Sequence, residues 1–220
     1  MSNSIRELID TGDVTGLGVA LGACPALSNA DIVWGDAGRL ATDPLHYVSD
    51  SVFARVLGGE HASALVNTLL AHGALVDGSP GRETPLIGAT SSGVSEVALA
   101  LIEAGADVSP VALFGATALH WAAYMGMPEV VTKLIEAGGS IELKCSEFAA
   151  TPLFWAVQGF SRFGPQIKRD QVGAARVLIE AGANGKTRNV EGASLLERAR
   201  QSESNEMVSL LERLLSGSTQ

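Results

Sequence analysis

Catalysis and metal binding need particular side chains at particular spacings, and this chain offers few of them. Its four His and two Cys form no His-x-x-x-His, Glu-x-x-His or Cys-x-x-Cys pair, the spacings that bring two ligands, or a ligand and a base, onto one side of a turn. Cys24 follows an expected helix end. Cys145 lies in an expected loop with only Lys144 as an adjacent base, a poor setting for a thiolate. Gly12 to Gly18 reads Gly-Asp-Val-Thr-Gly-Leu-Gly, with no strand before it and no Lys-Ser/Thr ending, so it is not a phosphate loop. No Gly-x-Ser-x-Gly nucleophile elbow occurs. What remains is chemistry of recognition. Trp121 and Tyr124 stand three residues apart and share one face of any helix that carries them. Large amphipathic aromatics of this kind are typical anchors for a partner or ligand. A small basic cluster, Lys168-Arg169 with Arg162 and Arg176 nearby, either reads an acidic group or is a solvated loop. No catalytic residue, metal ligand or cofactor is assigned.

The elements that position these residues must come from a chain of 220 residues. With 46% hydrophobic and 18% charged residues it can bury a core and is not disordered. Aromatics are only 5% while Gly numbers 25, which suggests helices of small and aliphatic residues with frequent stops. A net charge of −9 argues against a nucleic-acid binder, since phosphate neutralisation needs a basic face. No apolar stretch reaches transmembrane length, and Met1 to Asp10 lacks a secretion signal. Two Cys make no disulfide framework. The expectation is a reduced, cytoplasmic protein, with neither nucleic acid nor membrane as a partner.

A short phrase recurs along the chain: Asp43-Pro44-Leu45-His46, Thr84-Pro85-Leu86-Ile87, Thr117-Ala118-Leu119-His120, Thr151-Pro152-Leu153-Phe154 and Ser194-Leu195-Leu196-Glu197. A second phrase follows four of them: His72-Gly73-Ala74, Ala104-Gly105-Ala106, Ala137-Gly138-Gly139 and Ala181-Gly182-Ala183. Two phrases in fixed order at a period near 33 in mid-chain indicate a helical repeat array. Each unit has local logic. Thr or Asp before Pro gives an N-cap with Pro at the first helical position. A short helix follows, over Pro85 to Ser92 or Ala118 to Met125. Gly93, or Gly126 to Pro128, breaks it. A second helix then carries Val97, Leu101 and Ile102, or Val130, Val131, Leu134 and Ile135, at helical steps. Gly105 and Gly138 are expected just past its end in the left-handed conformation.

The pattern resembles the ankyrin repeat, most closely over Gly115 to Gly126, then Glu129-Val130-Val131, then Leu134 to Gly138. The resemblance spans roughly Ile5 to Leu215. It implies an all-α ankyrin-repeat solenoid of stacked helix-turn-helix units with short hairpin-like loops. About six units form one domain: a degenerate capping repeat at 1–41, then 42–82, 83–115, 116–149, 150–191, and a C-terminal cap at 192–220. Asp10 to Val14 marks the break inside the first unit. Met207, Leu210, Leu211 and Leu214 give the last one an apolar stripe, with Glu203, Glu206, Glu212 and Arg213 facing out. The second and fifth units carry extra residues, around Val52 to Glu60 and Phe160 to Asp170. These either lengthen the paired helices or wall the ends of a groove.

The resemblance also implies which positions line the concave face. The residue after the repeat's His, or its equivalent, looks into the cup: Tyr47, Gly88, Trp121 and Trp155. One turn on come Asp50, Ser91, Tyr124 and Gln158. Gly88 would leave a gap in the row. His46 and His120 match the family's His, which hydrogen-bonds a neighbouring finger loop. The expected function is a non-catalytic interaction module that binds a protein partner through its concave face and finger loops, using Tyr47, Asp50, Trp121, Tyr124, Trp155, Gln158 and Arg162. Fold-level analogy carries part of this. Against it stand Trp121 and Trp155 as inter-repeat core, self-association through the cup, and a small-molecule or catalytic pocket between the two longer repeats with Asp50 and Arg162 as polar groups.

Overall fold

A computed structural model of the chain describes residues 4–34, 40–163, 169–201 and 204–216, with backbone only at 161–163. The described residues form an all-α protein of paired helices, as the ankyrin-repeat resemblance implies, with a single two-stranded sheet. They fall into two compact units, Met1–Asp107 and Val108–Gln220.

The first unit contains α1 (Ile5–Asp10), α2 (Val14–Ala23), β1 (Ile32–Trp34), β2 (Leu40–Thr42), α3 (Pro44–Phe53), α4 (Gly59–Ala71), α5 (Pro85–Ser92) and α6 (Ser95–Glu103). First helices stack on first helices, α1 on α3 and α3 on α5, while α2, α4 and α6 form the second layer. The core between the layers is aliphatic: Ile9, Leu17, Leu21, Leu45, Leu65, Leu69, Leu86 and Leu101 are fully buried. Thr84 caps α5 as the sequence requires, its hydroxyl accepting from the Ile87 N–H at 3.3 Å. Asp43 does not cap α3 with its side chain. Its carboxylate instead accepts from the Ser79 hydroxyl (2.6 Å) and N–H (3.1 Å), tying α3 to the loop before α5. The strands pair antiparallel, Ile32 with Thr42 and Trp34 with Leu40, in a stretch where the sequence suggested only a degenerate helical cap.

The second unit contains α7 (Ala118–Met125), α8 (Pro128–Glu136), α9 (Pro152–Phe163), α10 (Gln171–Glu180), α11 (Leu195–Gln201) and α12 (Asn205–Leu215). Here α7, α9 and α11 pack in one layer and α8, α10 and α12 in the other. Met207, Leu210 and Leu211 of α12 are buried while Glu206, Glu212 and Arg213 are exposed, an apolar stripe backed by a polar face. Glu203 lies outside the described residues. Gly105 and Gly138 sit just past α6 and α8 with φ of 84° and 92°, which only glycine adopts without strain.

The extra length goes mainly into helices. The first and second helices are 10 and 13 residues long in α3 and α4 but 8 and 9 in α5 and α6. In the second unit α9 extends to 12 residues, and 164–168 lie outside the described residues.

Candidate functional site

The second unit gathers most of the large aromatics into one cluster. Thr151 and Pro152 start α9, and the same phrase starts α7 at Thr117 and Ala118, so Trp121 and Trp155 occupy matched positions on adjacent helices. Their rings meet edge to face, centroids 4.9 Å apart at 82°. Tyr124, one turn beyond Trp121, stands perpendicular to it at 6.2 Å and packs on Trp155 at 5.7 Å. Such T-shaped contacts place the positive edge of one ring on the negative face of the next.

The preceding loops complete the cluster. Phe114 lies 5.2 Å from Phe148 and 6.1 Å from Trp121. Phe148 lies 6.3 Å from Trp155. Loop-to-loop hydrogen bonds hold these fingertips: the Phe114 carbonyl accepts from the Glu147 N–H (3.2 Å) and the Ser146 hydroxyl (3.1 Å), and the Phe148 carbonyl from the Val190 N–H (2.8 Å). Phe114 has φ of 67°, a left-handed conformation costly for a bulky residue. The loop contacts keep it there.

These rings, with Ala150, Phe154, Gln158, Asn189, Val190, Glu191 and Arg198, line a cavity of about 470 Å³. Its wall is unevenly satisfied. The Trp155 indole N–H donates to Cys145 Sγ at 3.4 Å. Among the described residues, Trp121 Nε1 and Arg198 Nε are covered and have no acceptor. The rest of the Arg198 guanidinium pairs with Glu191 at 2.9 Å and reaches Gln201 at 3.3 Å.

His120 lies beneath this cluster and is not part of its chemistry. Its Nδ1 accepts from the Thr117 N–H at 3.2 Å, and its Nε2–H donates to the carbonyls of Leu143 and Ala150 at 3.1 and 3.2 Å. Its ring also packs edge-on against Trp155, at 5.5 Å. Burial outweighs the two carbonyl bonds and pushes its pKa down to about 4. The imidazole is a neutral loop clamp, the role that the resemblance gave it.

Of the residues expected to bind, Trp121, Tyr124, Trp155 and Gln158 line the cavity. Trp155 is only 6% exposed, so it serves both core and cavity wall. The backbone of Arg162 closes α9; its side chain, like all of Lys168, lies outside the described residues. Arg169 is described. Burial lowers its pKa, and its guanidinium lies against Met125 Sδ.

Tyr47 needs correction, and Asp50 is not among the residues that line the cavity. Tyr47 is 3% exposed. Its hydroxyl donates to Asp10 at 2.8 Å and accepts from Arg6 Nε at 3.2 Å, and Trp34 packs on its ring at 5.7 Å. A neighbouring helix and a strand seal it into the first unit. Asp50 is engaged with His46 Nδ1 at 3.2 Å. Gly88 leaves no gap, because the His46 ring fills it: a Cβ there would come within 2.5 Å of Nε2. Glu83 stands 3.6 Å from that same nitrogen. Burial disfavours the charged imidazole, but hydrogen bonds and charge from Asp50 and Glu83 prevail and raise the His46 pKa to about 9.

The sequence reading missed the far wall of the cavity, Asn189 to Glu191 and Arg198. The signal was available: each loop sits one repeat beyond the helix that it covers, so the Asn189 loop stands to α9 as the Phe148 loop does to α7. Among the described residues, no group of three or more His, Cys, Asp or Glu is placed to hold a metal ion, and no helix is long and apolar enough to cross a membrane. Residues 114–146 match the family model described as the ankyrin repeat. That stretch runs from Phe114 through α7 and α8 to Ser146. No curated protein matches the chain.

Proposed function

We propose, from the premise that this chain belongs to the ankyrin-repeat family, that it is a non-catalytic interaction module whose partner docks on the aromatic cavity of the second unit. Ankyrin repeats generally mediate protein interactions. The observation that carries the placement is the convergence of Trp121, Tyr124, Trp155, Phe114 and Phe148 from two helices and two loops on one cavity. Aromatic anchors in a partly desolvated pocket are the usual seat of binding energy. No catalytic role is assigned to the cavity, since both ring nitrogens of His120, the imidazole beneath it, are already engaged. The proposed contact set is Trp121, Tyr124, Trp155 and Gln158 with Arg162 at the end of α9; Tyr47 and Asp50 leave it. A small-molecule site is the second reading, favoured by a volume of about 470 Å³, within the range of ligand pockets.

Phe148 supplies the test because it is 38% exposed, so changing it need not unfold the protein. Immobilised wild-type chain, Phe148→Asp and the control Val19→Asp are compared for capture of a partner at matched circular dichroism. Val19 is 71% exposed in the first unit. The expected result is a partner held by wild type and by Val19→Asp and lost by Phe148→Asp. Retention by Phe148→Asp would refute the placement.

A further inference from the structure

The cavity also carries information about its occupant. Its walls are apolar rings, so the occupant presents apolar surface. The polar groups around it are out of balance. An indole N–H and a guanidinium Nε–H can only donate, and both Trp121 Nε1 and Arg198 Nε are covered with no acceptor among the described residues. A buried donor left unpaired is costly, so an acceptor brought to this wall relieves an existing penalty. Charge narrows the choice further. Glu191 already neutralises Arg198 at 2.9 Å. A carboxylate ligand would have to displace Glu191 or lie beside it, within a chain of net charge −9. An ammonium ligand would have to take Glu191 from Arg198, 2.9 Å away, and would still leave both donors unpaired.

We infer that the cavity receives an uncharged aromatic side chain flanked by a carbonyl acceptor, the chemistry of an aromatic residue within a peptide chain. This rests on the reading of the cavity as the docking site. The ring enters among Trp121, Tyr124 and Trp155, and the neighbouring carbonyl accepts from Arg198 Nε and Trp121 Nε1 after a rotamer-scale adjustment of those side chains. The volume of about 470 Å³ holds a large side chain with its adjoining backbone.

The chain has three Trp and therefore three indole N–H resonances, which report on the site directly. Four probes sharing a phenyl group separate the possibilities: N-acetyl-L-phenylalanine amide, 3-phenylpropionate, 2-phenylethylammonium and toluene. The expected result is saturable binding of the amide, with the Trp121 indole proton moving downfield and that of Trp34 unmoved. Toluene, which lacks the acceptor, binds about tenfold more weakly, and the two charged probes bind more weakly still. Trp121→Phe keeps a ring and removes the donor. Arg198→Lys keeps the charge and removes Nε–H. Each weakens the amide about tenfold and leaves toluene, which has no acceptor, unchanged.

Preference for the ammonium or the carboxylate overturns the inference, as does equal binding of amide and toluene. If Phe148→Asp abolishes partner capture while the probes show no preference for the amide, the docking site stands and its assigned occupant falls. If the amide binds as described but Phe148→Asp still captures the partner, the docking reading falls and the partner inference falls with it.

Discussion

His46 and His120 occupy the same place in their repeats, three residues after the N-cap of a first helix, yet the structure pushes them in opposite directions. Burial dominates His120, whose neighbours are carbonyl groups and a backbone N–H, and its pKa falls to about 4. His46 is also largely covered, but two carboxylates flank it and its pKa rises to about 9. One is a neutral clamp between backbone loops and the other is a cation between Asp50 and Glu83. The repeat fixes where the ring goes. The residues one turn on and one loop on decide what it does there: Asp50 follows His46 where Tyr124 follows His120, and Glu83 precedes the phrase at Thr84. The same holds for the aromatics. Tyr47 and Trp121 both follow the His, but Asp10, Arg6 and Trp34 close over the first, while Trp121 is left at a cavity wall.

The sharpest way to break this comparison is to remove the rings. His120→Ala strips the partners from two buried carbonyls and a buried N–H and leaves a void, and is expected to cost about 3 kcal/mol at neutral pH. His46→Ala is expected to cost less at pH 9 than at pH 6, because its contribution depends on its charge. Urea unfolding at the two pH values checks both. A His120→Ala chain as stable as wild type would mean that the loops do not depend on the clamp.

The two rings should also shape the pH profile from opposite sides. A folded pKa of about 9 for His46 lies above the ordinary 6.5. Its contribution is therefore full below about pH 6.5 and disappears as pH climbs through 9, a loss of about 3 kcal/mol. A folded pKa of about 4 for His120 lies below 6.5. Its contribution is full above about pH 6.5 and is lost as pH falls through 4, by a similar amount. The expected outcome is that His46→Gln flattens the alkaline limb of stability between about pH 6.5 and 9 without altering the acid limb. An unchanged alkaline limb would contradict the ion pairs at His46.

Much of this was legible in the sequence, and the rest has a common cause. A cap residue with Pro or Ala after it and a Gly at the far end delimits α5 and α7 to the residue, because those signals are local. Strands Ile32–Trp34 and Leu40–Thr42 are too short to show alternation, and their pairing depends on chain closure. Tyr47 carries an aromatic at a position that the repeat points outward, and nothing near it in sequence reveals that Asp10 will accept from its hydroxyl. The cavity was half legible: the resemblance to the repeat gives Trp121 and Trp155 and, one turn on, Tyr124 and Gln158, while Arg198 and Glu191 arrive from farther along the chain.

Gly88 offers a smaller test. A methyl group there would overlap the His46 ring at Nε2, but the ring is the end of a side chain and can turn away. Gly88→Ala is therefore expected to cost about 1–2 kcal/mol and to draw the His46 pKa down from about 9 toward 6.5, read by imidazole proton shifts across pH. Full loss of folding would mean that the ring cannot move; an unaltered pKa would mean that it does not need to.

The smallest effect separates the two carboxylates. Asp50 lies 3.2 Å from Nδ1 with 18% of its side chain exposed, while Glu83 lies 3.6 Å from Nε2 with 39% exposed. A closer, better-covered partner is screened less by water and salt. Asp50→Asn should therefore lower the His46 pKa more than Glu83→Gln does, and the second variant should keep it above 6.5. The stability change for Glu83→Gln at pH 7 is expected to stay below about 1 kcal/mol. Raising the salt concentration should shrink the Glu83 contribution first, leaving wild type and Glu83→Gln with converging titration curves. If the two variants shift the imidazole equally at low and high salt, distance and cover do not rank the pairs, and the charge on His46 belongs to the site as a whole rather than to its helix partner Asp50.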